Sequence, residues 1–225
     1  MIIAIANEKG GSSKSTLTSA LAIEASLRGY RTLVVDADPQ GTLTDWSAVG
    51  TEESVASLPT VVAMGEQLRR QLPELAADYD VTFVDLPGRI AKRVAGALMV
   101  ADLVLLPCGP SNADLWALET TLEMVSEARE MRPNLEVAAV ITRKRPGTTS
   151  GREIRSALED LGTTVLETAL CLRETYADAL GAGSGPTALA PGSLAAHEVR
   201  CLMNEVEDLL EMEAGRNDED EISAA

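Results

Sequence analysis

The chain has 225 residues, of which 45% are apolar and only 3% aromatic, and its formal net charge is −16. This length suits one α/β domain with a core of Ala, Val, Leu and Ile. No stretch reaches the roughly 18 unbroken apolar residues of a membrane span, and the N-terminus lacks the basic region of a signal peptide. We therefore expect a cytoplasmic protein.

The negative charge is unevenly spread along the chain. Residues 201–225 hold nine acidic residues and a single arginine, whereas residues 143–155 hold five cations and a single glutamate. Charges farther apart than roughly 8–10 Å are screened at physiological salt. The basic segment is therefore compatible with an anionic partner despite the acidic whole.

Strands and helices alternate in the hydrophobic pattern of the first half. The predicted strands lie at 2–6, 31–35, 60–63 and 81–85, and the predicted helices at 15–27, 42–48, 65–77 and 89–100. Gly29 follows the first helix as a natural C-cap. Residues 50–58 are predicted to be a surface loop.

The second half continues the alternation. Its predicted strands lie at 102–106, 136–142 and 163–168, and its predicted helices at 112–131, 151–161 and 194–213. Residues 181–193 are rich in Gly, Ser and Pro and are predicted to be a loop.

This alternation predicts an α/β fold with a doubly wound, mostly parallel sheet flanked by helices. We expect one domain over residues 1–213 and an acidic, disordered tail over 214–225. Ligands of such sheets bind at the carboxyl ends of the strands. Three marked segments follow predicted strands there, at 7–16, at 36–41 and after 81–85.

The first of these segments has the composition of a phosphate-binding loop. It reads Lys9-Gly10-Gly11-Ser12-Ser13-Lys14-Ser15-Thr16, between a strand and a helix. Glycines let successive N–H groups point at phosphate oxygens, and the helix start adds its positive end. Lys14 is placed to reach the β- and γ-phosphates, and Ser15 to bind Mg²⁺.

Four segments in order resemble the sequence boxes of the ParA/MinD superfamily of ATPases. Residues 9–16 resemble its deviant Walker A box K-G-G-x-x-K-[ST], and VVDADPQG (34–41) its second box. VTFVDLPG (81–88) resembles its Walker B box, and LLPCGPSNADLWAL (105–118) the ParA segment P-x-x-P-S-x-x-D-x-W-A-L. The chain departs from the pattern at Ser13, where glycine is usual, and a positive φ there would strain a serine.

The resemblance implies a deviant Walker A P-loop fold, ATP or ADP with Mg²⁺ as cofactors, and ATP hydrolysis. Lys9 matches the signature lysine that crosses to the partner subunit's phosphates, and Asp38 the aspartate that orients or deprotonates the attacking water. Asp36 and Asp85 would hold Mg²⁺ through its waters and Ser15 directly. A plainer interpretation of the two aspartates before Pro39 is an Asx-type turn.

By the same resemblance, Thr142 and Arg143 are candidates for adenine contacts. The glycines and serines of the phosphate loop, with Lys9, Lys14 and Thr16, complete the implied nucleotide site.

Because the Walker A segment starts at residue 9, the resemblance is to small ParA proteins without an N-terminal DNA-binding domain. It implies an ATP-dependent sandwich homodimer that binds DNA without sequence preference and is nucleoid-associated when ATP-bound. Such a protein partitions or positions a plasmid, a chromosome or another cargo. A ParB-like or other adaptor protein would stimulate hydrolysis.

A DNA-binding surface requires cations. The candidates are Arg145, Arg152 and Arg155, with Arg89, Lys92 and Arg93 as additions. The alternative is that these residues form a solvated helix face and a loop beside the nucleotide. No aromatic residues are interleaved with them, which fits contacts to the DNA backbone alone.

Two other functions remain as alternatives. A MinD-like membrane cycler needs a terminal helix with a basic face, but the polar face of helix 194–213 is acidic, so we expect no membrane partner. His197, at its start, is expected to be a surface or capping residue. A metabolic ATP switch acting on protein partners stays open, although the cluster-bearing members need paired cysteines that this sequence lacks.

Overall fold

The computed structural model describes residues 1–55, 57–88 and 91–211. The strands are β1 (Ile2–Ile5), β2 (Thr32–Asp36), β3 (Thr60–Ala63), β4 (Val81–Asp85), β5 (Leu103–Cys108), β6 (Glu136–Ile141) and β7 (Thr164–Val165). The helices are α1 (Lys14–Leu27), α2 (Thr42–Glu52), α3 (Leu68–Ala76), α4 (Ala91–Leu98), α5 (Asn112–Met131), α6 (Ser150–Asp160), α7 (Glu174–Gly181), α8 (Pro186–Leu189) and α9 (Leu194–Leu210).

The strands form one sheet in the order β3-β2-β4-β1-β5-β6-β7, and each neighbouring pair is parallel. The predicted doubly wound sheet is confirmed. The strand order places β1 at the centre, between β4 and β5. The loop that follows β1 therefore lies in the middle of the carboxyl edge, where such sheets bind their ligands.

The core lies on both faces of the sheet because side chains alternate along each strand. Ile3 and Ile5 of β1 pack into the cluster beneath α1, α2, α7 and α9, whereas Ile2 and Ala4 pack into the cluster beneath α3, α4, α5 and α6. Phe83, the single phenylalanine, is fully buried in the first of these clusters. Aliphatic side chains supply most of the packing, as the composition indicated.

The prediction fails mainly between residues 163 and 193. Helix α7 was not predicted, and α8 lies inside the segment predicted to be loop. Pro186 occupies the first turn of α8, where its missing N–H costs nothing. Strand β7 is shorter than predicted because only residues 164–165 pair with β6 at the sheet edge. Helix α2 continues to Glu52, into the predicted loop.

The last helix is held against the domain. Val199, Leu202 and Val206 are fully buried, and Glu207 accepts hydrogen bonds from the Arg28 guanidinium and the Tyr30 hydroxyl. Within the described ranges, no helix combines the length and apolarity needed to span a bilayer. The acidic tail predicted at 214–225 falls outside the described residues.

Candidate functional site

The predicted phosphate loop connects β1 to α1, as the sequence pattern indicated. Gly11 and Ser13 have φ values of +72° and +73°. These values lie in the left-handed region, which residues other than glycine rarely adopt. The expected strain at Ser13 is therefore present. Ser13 is also the N-cap of α1, and its side chain makes no capping hydrogen bond. The first N–H groups of α1 consequently stay available to an anion.

The loop has the properties of an anion cradle. Open space surrounds the positions that a Cβ would occupy at Gly10 and Gly11. The Ser12 hydroxyl is buried without a hydrogen-bond partner in the described part of the chain. Lys14 is buried, and its ammonium donates to the Lys9 carbonyl at 3.3 Å. Burial lowers the pKa of Lys14, although the charges of Asp85 and Asp38 oppose the shift. A phosphate would satisfy these groups together.

The predicted metal ligands lie next to this loop. The Ser15 hydroxyl donates to Asp85 Oδ2 at 2.6 Å, while Asp85 Oδ1 is buried with no partner in the described structure. Burial raises the pKa of Asp85 to about 7, against the Ser15 hydrogen bond and the charge of Lys14. Hard cations such as Mg²⁺ prefer oxygen ligands, so a hydroxyl beside a poorly satisfied carboxylate suits one.

Asp36 and Asp85 are register partners on β2 and β4, so the structure brings the two predicted metal carboxylates side by side. Asp36 also caps α2, because its Oδ2 accepts from the backbone N–H groups of Leu43 and Thr44 at 3.1 and 2.9 Å. Asp38 is half-buried, and its Oδ1 accepts from the Gln40 N–H at 3.0 Å. The Asx-type turn that we considered as the alternative is thus present, at the same edge as the phosphate loop.

Lys9 is bound within its own subunit by a residue to which the sequence analysis gave no role. Its ammonium donates to Asp114 Oδ1 at 2.8 Å, and Arg143 Nη2 donates to the same oxygen at 2.8 Å. The Ser111 hydroxyl donates to the other carboxylate oxygen. The Asp114 side chain is 5% exposed, against 34% for Lys9. Two cations thus share one buried carboxylate.

The carboxyl group of Asp114 is ionised in this cluster. Burial by itself would raise its pKa, but the hydrogen bonds from Lys9 and Ser111 and the charge of Arg143 hold that pKa below its usual range. The sequence signal for Asp114 was its match to the aspartate in the ParA pattern of the 105–118 segment. Asn7 was also missed: its Oδ1 accepts from the Lys9 N–H at 2.8 Å and fixes the start of the loop.

The two adenine candidates follow β6. Thr142 is buried, and its hydroxyl has no partner in the described part of the chain. Arg143 has a φ of +52°, and its guanidinium is directed to Asp114. Both candidates therefore keep a buried polar atom without a partner in the described residues, the Thr142 hydroxyl and Arg143 Nε, although Arg143 Nη2 already serves the carboxylate cluster.

The predicted DNA-contacting arginines do not form one uniform surface. Arg145 and Arg152 are exposed, at the carboxyl edge and in the first turn of α6. Arg155 instead donates to the carbonyls of Val165, Leu166 and Glu167 and so ties α6 to β7.

The additional cations also differ from one another. Arg89 lies outside the described residues. Lys92 is exposed and pairs with Glu66 at 3.5 Å. Arg93 turns inward and donates to the Ala37 carbonyl at 2.7 Å.

Residues 3–186 match the family model of the CobQ/CobB/MinD/ParA nucleotide binding domain. The chain belongs to this family. Its relatives include the Maintenance of carboxysome distribution protein A of Halothiobacillus neapolitanus, which is 34% identical over 206 residues, covering 91% of this chain and 95% of that protein. Protein ParA of Rhizobium radiobacter is 28% identical over 179 residues, covering 78% of this chain and 80% of that protein.

Solved structures of the same fold include a cobyrinic acid a,c-diamide synthase from Mycobacterium smegmatis with bound ADP and magnesium. It is 20% identical, has a TM-score of 0.73, and is matched over 93% of this chain and 95% of its own. A McdA variant from Cyanothece in complex with ATP has a TM-score of 0.73 at 17% identity, over 96% of this chain and 98% of its own. The chain is accordingly a P-loop ATPase of the ParA/MinD superfamily.

Proposed function

We propose that this ATPase binds ATP and Mg²⁺ as a nucleotide-sandwiched homodimer, binds DNA without sequence preference, and positions a cellular cargo. The observation that carries the proposal is the presence of two lysines with different environments on one loop. Lys14 is buried beside the open cradle, whereas the more exposed Lys9 is held by Asp114. The 34% identical relative named for carboxysome distribution supports a positioning role.

The residues of the loop fit a nucleotide phosphate group. Lys14, the unpartnered Ser12 hydroxyl and the N–H groups at the start of α1 would bind the phosphates. Ser15 and Asp85 would hold Mg²⁺, and Asp36 lies beside Asp85 on the neighbouring strand. When bound, Mg²⁺ neutralises the charge that develops on the β- and γ-phosphates.

Lys9 must change partner for the dimer to act. In the single subunit its ammonium is bound to Asp114, so it reaches a second subunit's phosphates only by leaving this carboxylate. Arg143 stays on the same oxygen and keeps Asp114 neutralised. In the partner's site Lys9 would stabilise the charge of the transition state, and Asp38 would orient the attacking water.

The DNA step rests on Arg145 and Arg152. Both are exposed on the basic segment that begins at the carboxyl end of β6. A dimer doubles the number of cations that face one duplex, and each phosphate contact adds a salt-sensitive increment to binding. The MinD-like alternative loses support because α9 is packed against α1.

The proposed cycle gives a role to a cargo and to an adaptor protein. An ATP-bound dimer held on the nucleoid can serve as a track for a plasmid, a chromosome region or a protein body. A ParB-like or other adaptor on the cargo would stimulate hydrolysis and release the dimer locally. The carboxysome-distribution relative makes a protein body a cargo to test first.

The test is fluorescence anisotropy of a labelled duplex of arbitrary sequence, titrated with protein in ATP·Mg²⁺ and in ADP·Mg²⁺ at two salt concentrations. We expect tight binding with ATP alone, weakened by salt. The double variant Arg145→Gln and Arg152→Gln should weaken binding at least tenfold, while Arg70→Gln, an exposed arginine on α3, serves as the matched control. Absence of DNA binding in both nucleotide states would favour a switch that acts on protein partners alone.

A further inference from the structure

We infer that Arg93 of helix α4 is a positioning residue that fixes the loop carrying Asp38. This inference rests on the proposed role of Asp38 in hydrolysis. Arg93 Nη1 donates to the Ala37 carbonyl at 2.7 Å, and the Ala37 carbonyl belongs to the peptide group that immediately precedes Asp38. The guanidinium therefore acts on the backbone that sets the position of the Asp38 carboxylate.

The neighbouring peptide group is fixed from the same side of the site. The Ala37 N–H donates to the Asp85 carbonyl at 3.0 Å, and Asp85 is the last residue of β4, the strand that leads into α4. Both polar groups of Ala37 are thus held by the β4–α4 unit. Within the described residues, in contrast, the Asp38 carboxylate is hydrogen-bonded to the following turn, through the Gln40 N–H.

The chemistry of the contact explains why an arginine is needed. Its planar guanidinium carries several donors in a fixed geometry, whereas lysine offers a compact charge and glutamine a shorter neutral amide. Arg93 Nη2 lies alongside Gly65, where a Cβ would be 3.8 Å away. The side chain thus spans from α4 to both the Asp38 loop and the segment after β3.

Part of the Arg93 guanidinium is poorly satisfied. Its Nε is buried and has no hydrogen-bond partner in the described part of the chain. A buried donor left unpaired is costly, so stability alone is a weak reason for this arrangement. Holding the Ala37 carbonyl, and with it Asp38, gives the arginine a role that offsets this cost.

The experiment compares Arg93→Gln and Arg93→Lys with Arg70→Gln, an exposed arginine on the neighbouring helix α3. Three quantities are measured: single-turnover ATP hydrolysis, equilibrium affinity for a fluorescent ATP analogue, and amide hydrogen exchange of residues 37–43. We expect Arg93→Gln to lower the hydrolysis rate at least tenfold with less than a twofold change in nucleotide affinity. Exchange at residues 38–43 should be faster, Arg93→Lys should restore part of both effects, and Arg70→Gln should change neither.

Two results would overturn the inference. One is an unchanged exchange rate at residues 38–43 in Arg93→Gln, because the loop then does not depend on the guanidinium. The other is an unchanged single-turnover hydrolysis rate in Arg93→Gln when Asp38→Asn lowers that rate, because Asp38 then acts without help from the guanidinium. Normal ATP hydrolysis by Asp38→Asn would instead refute the proposed catalytic role of Asp38. Hydrogen exchange measured without nucleotide still tests the contact between Arg93 and the loop in that case, so the two failures can be told apart. If Arg93→Gln does not fold, Arg93→Lys must still show faster exchange at residues 38–43 than the wild-type protein does.

Discussion

At the scale of single residues, the site is organised by carboxylates that already have partners. Asp36 caps α2, Asp85 accepts from Ser15, and Asp114 holds Lys9 together with Arg143. Lys14 differs, because its ammonium is buried with a backbone carbonyl as its hydrogen-bond acceptor. Because no carboxylate lies within hydrogen-bond distance of this ammonium in the described residues, Lys14 is the residue on which anion binding depends most.

We therefore expect Lys14→Ala to weaken ATP binding about ten- to a hundredfold, since a hydrogen bond to a charged group contributes about 1.5–3 kcal/mol. Equilibrium titration with a fluorescent nucleotide analogue measures the loss. The exposed Lys92, replaced by alanine, is the matched control. Wild-type affinity in Lys14→Ala would refute the assignment of residues 9–16 as a phosphate loop.

Lys9→Ala should separate stability from activity. Arg143 still pairs with Asp114 in this variant, and Lys9 is one-third exposed, so we expect the free energy of unfolding to fall by less than about 1 kcal/mol. Nucleotide binding should persist. If hydrolysis requires the dimer, the specific activity of the wild-type protein rises with protein concentration, and this rise should disappear in Lys9→Ala. Steady-state hydrolysis across a protein titration measures this, and unchanged turnover would remove Lys9 from the mechanism.

At the scale of elements, α2 packs against the connection between α7 and α8, two helices that the sequence pattern did not predict. Close backbone contact fixes this connection. A Cβ at Gly183 would overlap the backbone of Gly50, and Gly183 has a φ of +64°. The Trp46 indole donates to the Ser184 carbonyl at 2.9 Å. Close backbone contact and one hydrogen bond thus hold α7 and α8 on the face that also carries α1.

Gly183→Ala should accordingly destabilise the domain more than Gly162→Ala does. Both glycines have a positive φ, but a Cβ at Gly162 meets open space. We expect Gly162→Ala to cost about 1–2 kcal/mol from backbone strain, and Gly183→Ala to cost about 1–3 kcal/mol more from overpacking. Urea unfolding of the two variants measures the difference, and equal losses would mean that the connection can move away from α2.

At the scale of the whole molecule, the parallel sheet gathers its chemistry at one edge. The loops after β1, β2, β4 and β6 come from distant parts of the chain, yet they meet there because every strand runs in the same direction. Lys9 and the basic segment lie on this edge as well. One face of the molecule therefore carries the nucleotide site and the groups proposed for the dimer and for DNA.

Asp38→Ala should trap the ATP-bound dimer, because the nucleotide site remains complete while the group that orients the water is missing. Light scattering should show a doubled mass with ATP·Mg²⁺ and a monomer with ADP·Mg²⁺. A monomer in both nucleotide states would contradict the sandwich arrangement, whatever the hydrolysis rate.

The sequence alone determined the fold class and the family and proposed the phosphate loop, because these depend on local patterns. A strand, a glycine-rich turn and a helix form from neighbouring residues, so Lys9–Thr16 could be recognised directly, whereas the positive φ at Ser13 is a finding of the structure. The family resemblance proposed Asp36 and Asp85 as metal ligands, and the parallel strands that end in these residues bring them side by side. Helix α8 was mispredicted because its composition favours a loop, and only packing against α1 and α9 gives it a place.

The tertiary structure alone decided how the charges are paired. Asp114 lies 105 positions from Lys9 and 29 from Arg143, and Arg93 lies 56 positions from Ala37. No local pattern encodes such contacts, since they arise from the order of the strands and the helices between them. The same cause turned Arg93 and Arg155 inward, although their sequence context marked them as surface cations. A residue's chemistry can thus be predicted from its type, but its partner is set by the fold.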